Sequence, residues 1–221
     1  MKRIDLIMKN LRERYQHGAF PGNISGTALQ KELRRPYRVL ISTILSHRTR
    51  DENTHRASSN LFDKYPTAED VADAPLEAIE ELIRPSGFYK VKARRVKEVS
   101  RILLEEYDGE VPRGFDELMS LPSVGRKTAN CVLVYAFGEP AVPVDVHVHK
   151  ISNRLGLVST KTPDQTEAEL VKLVPKKYWL DLNELFVRFG QDICRSVGPK
   201  CNECDFGSFC RYYKELGKKV S

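Results

Sequence analysis

Four cysteines near one end of the chain have the spacing of a metal centre. Cys194, Cys201, Cys204 and Cys210 form the pattern C-x6-C-x2-C-x5-C. Disulfides are disfavoured because we expect an intracellular chain in a reducing compartment. The single C-x2-C pair, with longer spacings on either side, favours a [4Fe–4S] cluster, which four cysteines can hold. A structural zinc ion or a loop without metal remains the alternative from spacing alone.

A lysine at the start of a helix is the second candidate for chemistry. The segment LPSVGRKTAN, residues 121–130, lies between two predicted helices. Pro122 ends the first helix, and we expect Gly125 to let the backbone turn tightly and approach another surface. The first amide groups of the next helix would suit a DNA phosphate. Lys127 falls in that first turn, where the helix dipole disfavours a positive charge and favours a neutral, nucleophilic amine. The plainer interpretation is an ordinary helical corner with a solvated lysine.

A carboxylate follows the lysine at the next helix boundary. Asp145, within VDVHV, directly precedes a helical stretch. Its residue type is explained by N-capping. His147 and His149 are two residues apart and face different sides of a helix, so they make a poor metal-binding pair. We expect them to be packing or surface residues.

The elements that must position these groups are helices, and the predicted fold class is all-α. No β-rich run, repeat or low-complexity segment is present, and short links with Pro or Gly separate many of the helices. A loop is predicted over Gly18–Ala28. Amphipathic stretches are predicted over Arg3–Tyr15, Tyr37–Ser46, Glu52–Tyr65, Leu76–Arg84, Lys90–Tyr107, Phe115–Leu121, Lys127–Phe137, Val146–Leu155, Gln165–Leu173 and Leu182–Cys194.

Charge and hydropathy favour a polyanionic partner and exclude a membrane protein. The net charge is +6, and 41% of the residues are hydrophobic, without a membrane-spanning run. The N-terminal residues do not resemble a signal peptide, so we expect an intracellular location in the cytoplasm or nucleoid.

Two groups of basic residues stand out in the sequence. They are Lys90, Lys92, Arg94, Arg95 and Lys97 in one segment, and Arg195, Lys200, Arg211 and Lys214 among the cysteines.

Together, the hairpin LPSVGRKTAN, the segment VDVHV and the cysteine loop resemble the endonuclease III family of DNA glycosylases, within the helix–hairpin–helix superfamily. The resemblance runs from about Tyr37 to Tyr213. It implies a bifunctional DNA glycosylase and abasic-site lyase that removes oxidised or ring-saturated pyrimidines from double-stranded DNA. It also implies a [4Fe–4S] cluster rather than zinc. Lys127 matches the family's nucleophile, and Asp145 matches its catalytic aspartate.

The resemblance further implies two lobes with DNA between them. One is a six-helix domain carrying the hairpin, residues 29–139. The other is a discontinuous helical domain, residues 1–28 and 140–221, with the cluster loop at its C-terminal end. We expect the protein to act as a monomer.

Several DNA contacts are carried over from the family. Arg48 matches the side chain that fills the gap left by the extruded base, and Phe88 matches a wedge on the opposite strand. The hairpin residues Val124, Gly125 and Arg126 are expected to bind phosphate, as is Lys200 in the cysteine loop. The chain departs from the family pattern at Ser123, where glycine is common, at Arg48, where some members have glutamine, and at Phe88, often leucine.

Other activities are disfavoured by particular residues. Adenine-mismatch glycosylases usually lack the lysine that matches Lys127, and thymine-mismatch glycosylases tend to have tyrosine there. A non-catalytic DNA-binding module would not require both Lys127 and Asp145. A zinc-stabilised interaction protein would be colourless, whereas an iron–sulfur protein is yellow-brown.

Overall fold

The structure is a computed structural model that describes residues 3–16 and 35–220, with side chains described as far as residue 216. Within these ranges the chain forms helices and no β-strand, which confirms the all-α prediction. The predicted loop Gly18–Ala28 lies outside the described residues. None of the described helices is both long and apolar enough to cross a membrane.

The chain divides into two compact units. We call Gly26–Ala141 the hairpin unit, and Met1–Ser25 with Val142–Ser221 the cysteine unit. The hairpin unit contains α2 (Pro36–Ser46), α3 (Asp51–Lys64), α4 (Ala68–Asp73), α5 (Leu76–Leu82), α6 (Tyr89–Glu106), α7 (Phe115–Ser120) and α8 (Arg126–Val132), with a π-helical turn at Leu133–Phe137. The cysteine unit contains α1 (Arg3–Gln16), α9 (Val146–Arg154), α10 (Pro163–Leu173), α11 (Trp179–Asp192) and α12 (Arg211–Val220), with 3₁₀ turns at Lys176–Tyr178 and Cys201–Glu203.

The core of the hairpin unit is built around α2. Every residue from Val39 to Leu45 is buried, so this helix is covered on all sides, as expected for a helix that is apolar around most of its circumference. Helix α6 contributes one apolar face, with Ala93, Val96 and Val99 fully buried in the same cluster. Because α2 is packed on all sides, its C-terminus has a defined position, and so does the start of the loop that follows it.

Helix α4 was not predicted from the sequence. It has six residues, too few for a recognisable hydrophobic period. Its start is nevertheless encoded: Asp70 donates its N–H to Thr67 Oγ1 at 3.1 Å, and Thr67 donates its N–H to Asp70 Oδ2 at 3.0 Å. This reciprocal capping box is a sequence-level signal for a helix N-terminus.

The cysteine unit packs α1 against α11. Ile4, Ile7, Met8 and Leu11 recur at helical spacing and are buried in the same cluster as Phe186 and Phe189. Arg12 Nε donates to Asp181 Oδ2 at 2.6 Å at the edge of this contact. The discontinuous unit is therefore closed by apolar packing between residues far apart in the chain.

The cysteine loop is anchored by an aromatic residue within it. Phe206 lies between the third and fourth cysteines, is fully buried, and packs edge-on against Phe189 of α11 with ring centroids 5.3 Å apart. Burial of such a side chain stabilises the loop by roughly 1.5–3 kcal/mol. Phe206 thus positions the cysteines relative to α11.

Candidate nucleic-acid interface and catalytic residues

The turn between α7 and α8 is tightened by a residue other than the glycine. Val124 donates its N–H to Leu121 O at 3.1 Å, and Ser123 has a φ of 64°. Gly125 has φ −101° and ψ 179°, an extended conformation open to any residue. The expectation that Gly125 makes the tight turn is therefore wrong, because Ser123 occupies the left-handed position. This also explains why glycine would suit position 123.

Gly125 nevertheless leaves the hairpin surface open. A Cβ added there would meet no atom within 4 Å, so the missing side chain is not needed for packing. Arg126, next to it, is exposed, and its guanidinium lies 5.0 Å from the Phe115 ring centroid. Val124 differs from both, since its side chain is buried. The outward-facing part of the hairpin therefore begins at Gly125.

Replacing Ser123 by glycine should stabilise the protein. The left-handed conformation costs a residue with a side chain about 1–2 kcal/mol, and the greater freedom of glycine in the unfolded chain offsets roughly 0.4–1 kcal/mol of that gain. We expect a net gain of about 0.5 kcal/mol in the free energy of unfolding, measured by denaturant titration. Ser123→Ala is the control, since it keeps the strained backbone. If Ser123→Ala raised the free energy of unfolding by the same amount, the hydroxyl group and not the backbone conformation would be the destabilising feature.

Lys127 is the second residue of α8 and is half-buried. The next residue, Thr128, is buried and holds its Oγ1 3.0 Å from His47 Nε2. Burial, together with the positive charges of Lys127 and Lys92, lowers the pKa of His47 to about 4. His47 is therefore neutral near pH 7 beside a basic group of side chains. His47 was not predicted as a site residue, because a lone histidine carries little signal.

Asp145 is the N-cap of α9, and its Oδ1 accepts the N–H of Val148 at 2.8 Å. The backbone just before it is fixed by Asn183 of α11, which donates to Pro143 O at 3.0 Å. The carboxylate is half-buried in the cysteine unit, whereas Lys127 belongs to the hairpin unit. Capping uses one carboxylate oxygen and leaves Asp145 able to act on a bound group with the other.

The two histidines after Asp145 have packing partners. The ring of His147 occupies the space beside Gly190, where an added Cβ would lie 2.2 Å from Nδ1. His149 Nδ1 is 2.6 Å from Thr166 Oγ1. These contacts agree with the expectation that both are packing or surface residues.

Arg48 and Phe88 lie side by side in the hairpin unit. The Arg48 guanidinium is 5.9 Å from the Phe88 ring centroid, and both residues line one open pocket with Val91, Arg95 and other residues. Phe88 is 63% exposed, so it is not a core residue. An exposed aromatic ring beside an arginine can stack on bases.

The basic segment after Phe88 separates into two kinds of residue. Lys90, Arg94 and Arg95 are exposed and can face a polyanion. Lys92 is buried, and Lys97 donates to the carbonyls of Ala72 and Ala74 at the end of α4. The five basic residues of this segment therefore do not form one surface, because Lys92 and Lys97 direct their ammonium groups to backbone carbonyls within the hairpin unit.

The four cysteines of the loop line one small pocket, together with residues that include Lys200 and Tyr212, and all four are free thiols. Arg154 Nη1 donates to Cys194 Sγ at 3.4 Å, and Cys210 Sγ donates to Arg154 O at 3.3 Å. Burial raises the pKa of Cys204 to about 11. Within the described residues, no three Cys, His, Asp or Glu side chains are grouped as ligands of one ion. The donor set is four thiols facing one pocket.

The basic residues beside the cysteines have internal partners. Lys200 Nζ lies 3.4 Å from Glu203 Oε2, and Arg211 Nε donates to Glu215 Oε1 at 3.0 Å. Arg195 Nε donates to the carbonyls of Gln191 and Asp192, each at 3.2 Å. Exposed ion pairs of this kind contribute little, about 0–1 kcal/mol. They therefore do not prevent these side chains from turning to a phosphate.

Comparison with known proteins identifies the family. The model of the family described as HhH-GPD superfamily base excision DNA repair protein matches residues 41–176. Endonuclease III from Thermotoga maritima is 52% identical over 183 residues, covering 83% of this chain and 86% of that protein. A solved trapped endonuclease III–DNA covalent intermediate aligns with a TM-score of 0.85 at 35% identity, covering 97% of both chains. A thermostable thymine-DNA glycosylase aligns with a TM-score of 0.80 at 28% identity, covering 96% of this chain and 95% of that one.

The family-model match includes the hairpin with Lys127 and the segment with Asp145, both of which fall inside residues 41–176. The matches also agree with the all-helical fold. The chain therefore belongs to the endonuclease III family of HhH-GPD base excision DNA repair proteins.

Proposed function

We propose that this protein is a bifunctional DNA glycosylase and abasic-site lyase that removes oxidised or ring-saturated pyrimidines from double-stranded DNA. The observation that supports it best is the position of Lys127 at the start of α8, directly after the open surface at Gly125. A phosphate held at this helix start would bring the neighbouring sugar close to an amine. We propose that the protein does this as a monomer.

The proposed reaction begins with extrusion of the damaged base, which the enzyme cannot reach inside the duplex. The neutral Lys127 amine attacks C1′ of the sugar, and the bond between C1′ and the base breaks with its electron pair leaving on the base. The leaving base takes up a proton, the sugar ring opens, and a Schiff base joins Lys127 to C1′. Loss of a proton from C2′ then expels the 3′ phosphate by β-elimination, which nicks the strand.

Asp145 is proposed as the carboxylate that stabilises positive charge developing on the sugar. Its half-buried site strengthens this interaction relative to water.

Arg48 is proposed to fill the gap left by the base, with Phe88 stacking on the opposite strand. The hairpin groups of Gly125 and Arg126 would hold phosphate, with Lys200 contacting the backbone from the cysteine unit. Val124 contributes by packing the hairpin, given its buried side chain.

Cys194, Cys201, Cys204 and Cys210 are proposed to hold a [4Fe–4S] cluster. Four thiols around one pocket fit its ligand set, and they must lose their protons when iron binds. The bound cluster would serve as a cross-link of the loop, in addition to the anchor that Phe206 provides. No step of base removal needs it.

Iron analysis tests the cofactor. We expect the purified protein to be yellow-brown and to contain about four irons per chain, the number in one cluster. Cys204→Ser should lower the iron content and bleach the colour, because one thiolate ligand is lost. Cys131→Ala is the control, since Cys131 is fully buried in the hairpin unit and outside the cluster loop. A colourless protein with one zinc per chain would contradict the proposal.

Borohydride trapping tests the activity. The protein is mixed with a duplex containing dihydrouracil, a ring-saturated pyrimidine, or with a duplex containing an abasic site, and is then reduced. A Schiff base would be converted into a stable protein–DNA adduct on both duplexes. A glycosylase without lyase activity would release the base and leave no adduct. A non-catalytic DNA-binding module would retard the DNA without either product, and both results would contradict the proposal.

A further inference from the structure

The ammonium group of Lys92 lies at the centre of a buried hydrogen-bond network. Lys92 is 6% exposed, although lysine is rarely buried. Its Nζ donates to Leu45 O at 2.8 Å, His47 O at 2.6 Å, Ser86 Oγ at 2.8 Å and Thr49 Oγ1 at 2.9 Å. Three ammonium hydrogens therefore face four oxygen atoms. Burying a charged group is costly unless it is hydrogen-bonded in this way.

This network joins two loops. The acceptors Leu45, His47 and Thr49 lie on both sides of Arg48 in the chain, and Ser86 lies in the turn that leads to Phe88. Thr49 Oγ1 also accepts the N–H of Gly87 at 3.0 Å. Lys92 therefore ties the backbone around Arg48 to the side chain of Ser86, two residues before Phe88.

The two residues at the tips of these loops are both in the left-handed conformation. Arg48 has a φ of 51° and Phe88 a φ of 59°, values that residues with a side chain rarely adopt. Such conformations persist only where the surrounding structure holds them. Both side chains are exposed, so packing of the side chains in the core does not hold them. The hydrogen bonds of Lys92 to His47 O, Thr49 Oγ1 and Ser86 Oγ act directly beside both residues in the chain.

We propose that Lys92 is a positioning residue, which holds Arg48 and Phe88 ready to enter the DNA together and so determines how efficiently a damaged base is extruded. This inference rests on the proposed function, in which these two side chains enter the helix. Holding both loops in advance lowers the ordering cost of binding. Without Lys92, we expect each loop to relax to unstrained backbone conformations and the two side chains to lose their common geometry.

A matched control exists on the same helix. Lys97 also donates to two backbone carbonyls, those of Ala72 and Ala74, but these end α4 and belong to neither loop. Lys92→Met and Lys97→Met each remove an ammonium group that binds backbone carbonyls and keep most of the apolar stem. Comparing the two variants therefore separates the effect of losing any ammonium–carbonyl contact on α6 from the effect of losing the contacts that Lys92 makes beside Arg48 and Phe88.

The experiment compares two single-turnover rates. The first is base excision from a duplex containing dihydrouracil, and the second is strand cleavage at a preformed abasic site, where no base must be unstacked. For Lys92→Met we expect base excision to fall roughly 10- to 100-fold, as displaced positioning groups cause, with abasic-site cleavage within about threefold of wild type. For Lys97→Met we expect the ratio of the two rates to be unchanged.

A spectroscopic signal gives a second readout. In the Lys127→Ala background, 2-aminopurine placed opposite the lesion should brighten when the protein unstacks it, and adding Lys92→Met should remove most of that rise. If Lys92→Met does not fold, Thr49→Val removes one acceptor and should shift the ratio in the same direction by a smaller factor.

An equal fall in both rates, or no fall in either, would overturn the role of Lys92. Unlike these outcomes, a wild-type protein that gives no adduct on either duplex would overturn the proposed function itself.

Discussion

Replacing Lys127 by alanine should abolish the borohydride adduct and slow base excision by at least about a thousandfold. Loss of a covalent nucleophile typically costs this much or more, because the alternative is direct attack by water. The fold should survive, since Lys127 is near the start of α8 and alanine is the best helix former. Single-turnover excision of dihydrouracil, followed on a denaturing gel, measures the rate, and thermal unfolding checks the fold.

The control for Lys127 is Lys172→Ala. Lys172 is exposed on α10 and pairs with Glu169 at 2.9 Å, so this change removes the same charge from a position outside the proposed site. We expect its excision rate and adduct yield to match wild type. An adduct that persists in Lys127→Ala would show that another amine forms the Schiff base.

Replacing Asp145 by asparagine should separate the two roles of this residue. Asparagine is as good an N-cap as aspartate, so the bond to the N–H of Val148 can be kept, and we expect the free energy of unfolding to stay within about 0.5 kcal/mol of wild type. The carboxylate charge is lost, however, and base excision should fall by about 10²- to 10³-fold, the usual cost of removing one group that stabilises charge in the transition state. Stability and single-turnover excision are measured on the same preparation.

Asp145→Ala is the comparison for the cap. Alanine cannot accept the hydrogen bond, and we expect it to cost about 1 kcal/mol of stability in addition to the loss of excision. If asparagine and alanine lost the same stability, the cap would depend on the charge. If Asp145→Asn excised the base at the wild-type rate, the proposed role of the carboxylate would be wrong.

The candidate site residues could be proposed from the sequence because each has a local signature. Lys127 follows a turn and begins a helix, Asp145 precedes one, and four cysteines share one loop; each pattern involves residues close in the chain. The helices that position them have a hydrophobic period, as in α1 with Ile4, Ile7 and Leu11. The resemblance of these motifs to a known family then supplied the activity and the expected cofactor.

The contacts between distant segments could not be predicted in this way. Lys92 appeared to be one basic residue among five, and only the fold shows that its ammonium group faces Leu45 and His47. The conformation of Ser123 was equally hidden, since the neighbouring Gly125 was the more obvious residue for a tight turn. In both cases the property depends on tertiary packing or on a backbone angle, and residue type alone does not determine either.

The contact between Gly190 and His147 has a consequence for how this family can change over evolution. The imidazole fills the space that any side chain at position 190 would need, so α11 can tolerate a larger residue there only if position 147 becomes smaller. The two positions are then expected to change as a pair. Since His147 lies two residues after Asp145, the evolution of the segment that carries this carboxylate would be constrained by a glycine more than forty positions away in the sequence.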